Sequence, residues 1–272
     1  MKGRATRFAL FVYNERASFN VNADMKRTFA ISIFIGTLAA AQEPPILIRM
    51  IREPMRVQAT ERASNYLGLR VGTPILATTA TTGMPETVFF EIHESYASLE
   101  AVDAVSHLGK LSERSAPFST LLLHLPGLSF RPDLAAKLLP RARYLQISTY
   151  RIRPGTGAEF GDLMRLRRAA YDAINLDRPE MAYQVVSGTS SGTYVMIAPL
   201  TSLKTLDNGS VRNPAYAAAM GDTGPSLRKI ASEIELSRDH QLLRLDPEWS
   251  YVSTEFAELS AENFWRPKFS AR

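Results

Sequence analysis

The feature that most restricts the fold is an internal duplication. Residues 89–100 (FFEIHESYASLE) read as an apolar strand, a break, and a Ser-Leu pair opening a helix. Residues 193–204 (TYVMIAPLTSLK) repeat that pattern 104 positions later. Upstream, Ile46 to Pro54 parallels Gln146 to Pro154 at an offset of 100. Each is a strand ended by proline, which cannot donate to a ladder. Downstream, Leu123-His124-Leu125-Pro126 with Ser129-Phe130 echoes Leu243-Arg244-Leu245-Asp246-Pro247 with Ser250-Tyr251, at an offset of 120 to 121. The offsets grow in chain order, as loop insertions in a second copy require.

Within each copy the elements run strand, helix, strand, strand, helix, strand. In the second copy Phe160, Leu163, Arg167, Ala170, Tyr171 and Ile174 recur at helical spacing, with the Arg167 stem able to lie along apolar surface. Ala182 to Ser187 and Thr193 to Ala198 flank Gly188-Thr189-Ser190-Ser191-Gly192, a hairpin signal. Pro225 opens a helix carrying Leu227, Ile230 and Ile234, and Gln241 to Leu245 closes the unit. In the first copy Met55 to Leu69 supplies the first helix. Ser98 and Ser202 are set as N-caps or first-turn residues. The order is that of the ferredoxin-like βαββαβ unit. The sequence therefore predicts an α+β chain with tandem ferredoxin-like repeats at 42–131 and 144–252, a linker at 132–143 and a C-terminal tail at 253–272.

The segment ahead of the first copy reads as an address. Met25-Lys26-Arg27 is a short basic start, Thr28 to Leu38 is an uncharged apolar run of eleven residues, and Ala39-Ala40-Ala41 offers small residues at a cleavage point. That is the layout of a secretory signal peptide over 25–41. Residues 1–24 fit no signal pattern, so Met25 is the expected start and 1–24 a mis-assigned extension. Cleavage near Ala41/Gln42 then delivers the chain to the periplasm or the exterior. The apolar run is too short to span a bilayer, which needs about 20 residues, and no later segment has that length.

Charge narrows the partners. Residues 1–41 hold six basic and two acidic residues, leaving 26 of the chain's 32 basic and 25 of its 27 acidic residues beyond Ala41. So balanced a body lacks the excess that phosphate neutralisation demands, and no nucleic-acid partner is expected. The chain has no cysteine, which excludes disulfides, thiolate zinc sites and a cysteine nucleophile. The four histidines show no ligand spacing, so no metal site is expected, nor a cofactor. Ser226-Leu227-Arg228-Lys229 matches S-x-x-K without its companion motifs.

Several stretches carry a resemblance: Ser129-Phe130-Arg131-Pro132-Asp133, Arg151-Ile152-Arg153-Pro154-Gly155, Ala219-Met220-Gly221, Trp249-Ser250-Tyr251-Val252 and Phe264-Trp265-Arg266-Pro267-Lys268. With paired ferredoxin-like units, the chain resembles the dimeric α/β-barrel superfamily, which includes NIPSNAP-like proteins. Within it, the chain is similar to an exported bacterial family built of two repeats. The resemblance implies an intrachain pair of units facing each other as a barrel, so a monomer is feasible and a homodimer is open. It implies no catalytic residue.

Strand periodicity then nominates a site. If Phe90 and Ile92 meet helices, Phe89, Glu91 and His93 point into the barrel. By the same rule Arg49 points inward from Ile46 to Pro54, as do Tyr144, Gln146, Ser148 and Tyr150 where Leu145 and Ile147 take the helix side. The expected ligand-binding residues are Arg49, Glu91, His93, Gln146 and Tyr150, facing a small apolar or anionic ligand. Glu91 beside His93 suits proton transfer, and Arg49 suits an anion or an enolate oxygen. The bland alternative is a satisfied buried Arg-Glu-His network. Three functions compete: a non-catalytic small-ligand-binding or structural module, a cofactor-independent monooxygenase- or isomerase-like enzyme acting inside the barrel, and a haem binder using a histidine ligand.

Overall fold

The computed structural model describes residues 43–54, 73–106, 118–207, 214–221, 223–260 and 263–267. All of them belong to the unit Ile35–Arg272. The other unit, Met1–Phe34, lies outside the described residues, as do the expected signal peptide at 25–41 and the expected helix from Met55 to Leu69.

Eight strands close a barrel: β1 (Leu47–Pro54), β2 (Ile75–Ala80), β3 (Glu86–His93), β4 (Phe118–His124), β5 (Tyr144–Ile152), β6 (Met181–Ser187), β7 (Thr193–Leu200) and β8 (Glu235–Tyr251). Every pairing is antiparallel. Around the barrel the order is β1-β3-β2-β8-β5-β7-β6-β4, with β4 returning to β1. The fold is therefore α+β with a closed antiparallel barrel. The first four strands stand in the order β4-β1-β3-β2 and the last four in the order β8-β5-β7-β6, the same internal order twice.

The described α-helices are α1 (Tyr96–Ser106), α2 (Pro132–Leu138), α3 (Gly157–Ala173), α4 (Lys204–Asp207), α5 (Pro214–Met220), α6 (Thr223–Ile234) and α7 (Thr254–Glu258). Local chemistry sets their bounds. Ser95 and Ser98 cap α1 reciprocally: the Ser98 amide donates to Ser95 Oγ and the Ser95 amide to Ser98 Oγ, both at 3.2 Å. Ser98 is thus a first-turn residue and Ser95 the cap. In α3 the buried set Phe160, Leu163, Met164, Ala170 and Tyr171 follows the helical period read from the sequence. The β6–β7 hairpin begins at Gly188 with φ of 94°. A Cβ there would lie 2.2 Å from the Ser119 carbonyl oxygen, so glycine is required both by the backbone and by the approach of β4.

The two faces of the sheet differ sharply. Ile48, Phe90, Leu76, Leu245, Ile147, Val195, Tyr183 and Leu122 come one from each strand and belong to one buried cluster. Only the interior of a closed barrel is common to all eight strands, so this is the lumen. Eight-stranded barrels are narrow enough for side chains to fill. One end is stopped by Ala135, Leu139, Ala142, Val252, Phe256 and Trp265, which join the same cluster where β5 begins and β8 ends. Trp265 donates its indole N–H to the Pro140 carbonyl at 2.6 Å and meets Phe256 edge-on. The expected linker and tail therefore help to fill the core. At the other end Arg52, Glu86 and Gln241 form a polar triangle: Arg52 Nη1 and Gln241 Nε2 each donate to Glu86 Oε1 at 2.6 Å.

On the outer face of the second half, Tyr150, Ile152, Ala182, Tyr194 and Met196 pack against Phe160, Leu163 and Met164 of α3 and Leu227 and Ile234 of α6. This reveals a phase error in the repeat offsets. Ile48 and Met50 face inward, whereas Ser148 and Tyr150, 100 residues later, face outward. Offsets of 104 and 120 likewise match outward Glu91 and Leu123 to inward Val195 and Leu243. With a strand period of two, an even offset here pairs opposite faces of the sheet.

Candidate functional site

The lumen holds none of the five expected site residues. Arg49, Glu91 and His93 lie on the outer face of the first half, because Ile48, Met50, Phe90 and Ile92 take the inner one. The physical reason is that the lumen is enclosed on every side and therefore takes the most uniformly apolar set, while a charge there would lose its hydration. Outside, charge can reach water: the Arg49 side chain is 15% exposed and Asp103 of α1 is 44% exposed.

There the residues do come together. Arg49 grips Glu91 in a fork, Nη2 to Oε1 at 2.9 Å and Nε to Oε2 at 3.1 Å, and reaches Asp103 Oδ1 at 2.5 Å. Glu91 is fully buried. His93 Nε2 lies 3.1 Å from Glu91 Oε1 but lacks hydrogen-bond alignment, leaving a buried nitrogen without a hydrogen bond. Among the described residues, two carboxylates surround this one guanidinium. The cluster is a network that ties β1, β3 and α1 together.

Gln146 and Tyr150 also face outward, on β5 of the second half, and there the charge balance reverses. Arg167 of α3 donates Nη1–H to the Tyr150 hydroxyl at 2.5 Å and Nε–H to the Tyr171 hydroxyl. Arg178, just before β6, reaches only Gln146 Oε1, at 3.4 Å, and stands over the Tyr171 ring at 6.0 Å. Its buried Nε–H has no acceptor. Arg168 bonds the Ser129 carbonyl at 2.9 Å and likewise has a buried, unmatched Nε–H. Among the described residues, none of these three half-buried guanidiniums has a carboxylate within ion-pair distance. On the neighbouring strand, His240 Nδ1 lies 2.9 Å from Ser148 Oγ, its cross-strand partner.

The titrating groups respond to this excess of positive charge. Partial burial lowers the His240 pKa, and Arg238, Arg167 and Arg178 lower it further against a small opposing effect of Asp239. Burial raises the Tyr150 hydroxyl, with Arg167 and Arg238 opposing and Glu180 assisting. Burial alone would lower the Arg167 pKa, but Glu180, Tyr171 and Tyr150 raise it well above the usual value, so it stays charged. Chemically, this face can hold an oxyanion: guanidinium forks, an imidazole and an amide converge with little carboxylate to oppose them.

Sequence reasoning put Gln146 and Tyr150 inside the barrel, missed Arg178 and His240, and took Arg167 only as a snorkelling core residue. Ser148 and His240 are 92 positions apart, and only the β5–β8 register joins them. Arg178-Pro179-Glu180 carries no recognisable motif.

No family model and no curated protein matches the chain. Among solved structures it is similar to a candidate monooxygenase from Lactobacillus acidophilus NCFM, at 9% identity over 74% of this chain and 94% of that one, with a TM-score of 0.48. It is similar to a heme-binding protein from Thermus thermophilus, at 9% identity over 75% of this chain and 95% of that one, with a TM-score of 0.41. It is also similar to chlorite dismutase from Candidatus Nitrospira defluvii, at 8% identity over 76% of this chain and 94% of that one, with a TM-score of 0.46. Likeness this remote gives no residue a role.

Proposed function

We propose that the chain is a small-ligand-binding module whose ligand is an oxyanion seated on the outer face of the second half, with the filled barrel as its scaffold. The observation that carries this reading is Arg178: a half-buried guanidinium with an unmatched Nε–H and no carboxylate in ion-pair range among the described residues. Buried charge is normally paired, and a buried donor without an acceptor calls for an explanation, of which a bound anion is one. Chemistry inside the barrel loses its ground, because the lumen is lined by packed apolar side chains.

Residues 42–131 and 144–252 are tandem ferredoxin-like repeats, which the repeated strand order supports. The mature chain is released near Ala41/Gln42 to the periplasm or the exterior. It binds its ligand without a cofactor; one chain supplies both halves, so a monomer is feasible and a homodimer is open.

Calorimetric titration with inorganic sulfate tests the site. Arg178→Gln should weaken binding about tenfold or more, the usual scale for losing a charge-assisted hydrogen bond. Equal affinity in wild type and Arg178→Gln would remove the site from this face.

A further inference from the structure

We infer that the ligand is a dianionic tetrahedral oxyanion, of the sulfate or phosphate-monoester kind, taken up together with one proton on His240. This rests on the oxyanion reading above and adds the ligand's geometry, its charge and its dependence on pH.

The geometry comes from where the donors stand. Arg178 approaches from the segment before β6, Arg167 from α3, and His240 from β8, with Gln146 and Ser148 on β5 between them. A planar carboxylate is satisfied by one guanidinium fork in its own plane. Donors arriving from three separate elements match oxygens arranged in three dimensions. His240 Nδ1 is engaged by Ser148 Oγ at 2.9 Å, and no hydrogen bond to Nε2 is made among the described residues, so that nitrogen is the one offered to a ligand.

The charge comes from counting every ionisable group that faces His240. Arg238 and Asp239 flank it on its own strand, and Arg238, although held by Glu235 through both carboxylate oxygens at 2.5 and 2.6 Å, still adds positive charge beside it. Arg167 and Arg178 face it from across the sheet, and Glu180 opposes Arg167. Tyr150, opposite Arg238 on β5, stays neutral because burial raises its pKa. Asp239 is exposed and alternates to the other side of the strand. Set against Glu180, these guanidiniums leave an excess of positive charge beside His240, and protonation of the imidazole adds one more. A dianion is then matched best when the imidazole is protonated. Linkage fixes the sign: a bound dianion raises the lowered His240 pKa, so binding takes up a proton and tightens as pH falls.

The test uses the full mature chain titrated with sodium sulfate, which remains a dianion from about pH 8 to about pH 5, and with sodium nitrate, a planar monoanion, over the same range in which histidine titrates. Sulfate affinity should rise about tenfold across that range, equivalent to one unit of pKa shift. Repeating the titration in buffers of different ionisation enthalpy should show net proton uptake, peaking at about half a proton per sulfate midway between the free and bound pKa values, as a one-unit shift requires. Nitrate should bind more weakly, with a flatter profile. His240→Gln keeps a donor but cannot take the proton, so its sulfate profile should flatten; His240 is exposed, and an unchanged melting transition confirms the fold. An unaltered pH slope in His240→Gln, or nitrate binding equal to sulfate, overturns this inference and leaves the oxyanion reading standing. No binding of either anion at any pH overturns both.

Discussion

Phe90→Ala should cost about 3–5 kcal/mol of unfolding free energy, the scale for deleting a buried phenylalanine ring. Phe90 is 2% exposed and stands in the one cluster that every strand enters. Its neighbours across the lumen are held by hydrogen-bonded strands on both sides, so they cannot collapse into the space left behind. Denaturant unfolding followed by circular dichroism measures the loss. A change below about 1 kcal/mol would mean that the lumen is not packed around that ring.

The residue next to it tests the opposite face. Glu91→Ala should cost about 2–4 kcal/mol, because Arg49 then loses the buried carboxylate that it grips in a fork. Asp103→Ala, which removes a half-exposed carboxylate from the same guanidinium, should cost under about 1 kcal/mol. Comparing the two by denaturant unfolding separates a buried partner from a screened one. Equal losses would show that Glu91 is solvated and that α1 does not cover it.

Much of the fold is legible in the sequence. The helical spacing of Phe160 to Tyr171, the glycines at 188 and 192, and the strands around them all recur in the structure, since each follows from local periodicity and turn chemistry. The side that each strand presents was not legible. Phe90 and Ile92 are apolar in either case, and alternation shows that they share a face without saying which. Only closure decides it, because closure makes the interior the driest surface available. The same one-residue ambiguity put Ser148 in step with Ile48, although the first faces outward and the second inward. Arg49, Glu91 and His93 were grouped by alternation, and in the structure they are neighbours on one outer face. The cluster around Arg178 was not, because its members come from α3, β5, β8 and an irregular segment. Trp265 looked like part of a polar tail, yet it fills the barrel end through Phe256 and Pro140, contacts that no local pattern announces.

The most direct measurement is the proton–nitrogen spectrum of the arginine Nε–H groups during a sulfate titration. If the ligand sits on the outer face of the second half, the Arg178 resonance should shift strongly, with Arg167 following, while Arg49, already closed by Glu91 and Asp103, stays in place. Movement of Arg49 with Arg178 unchanged would put the ligand on the other half and contradict the assignment.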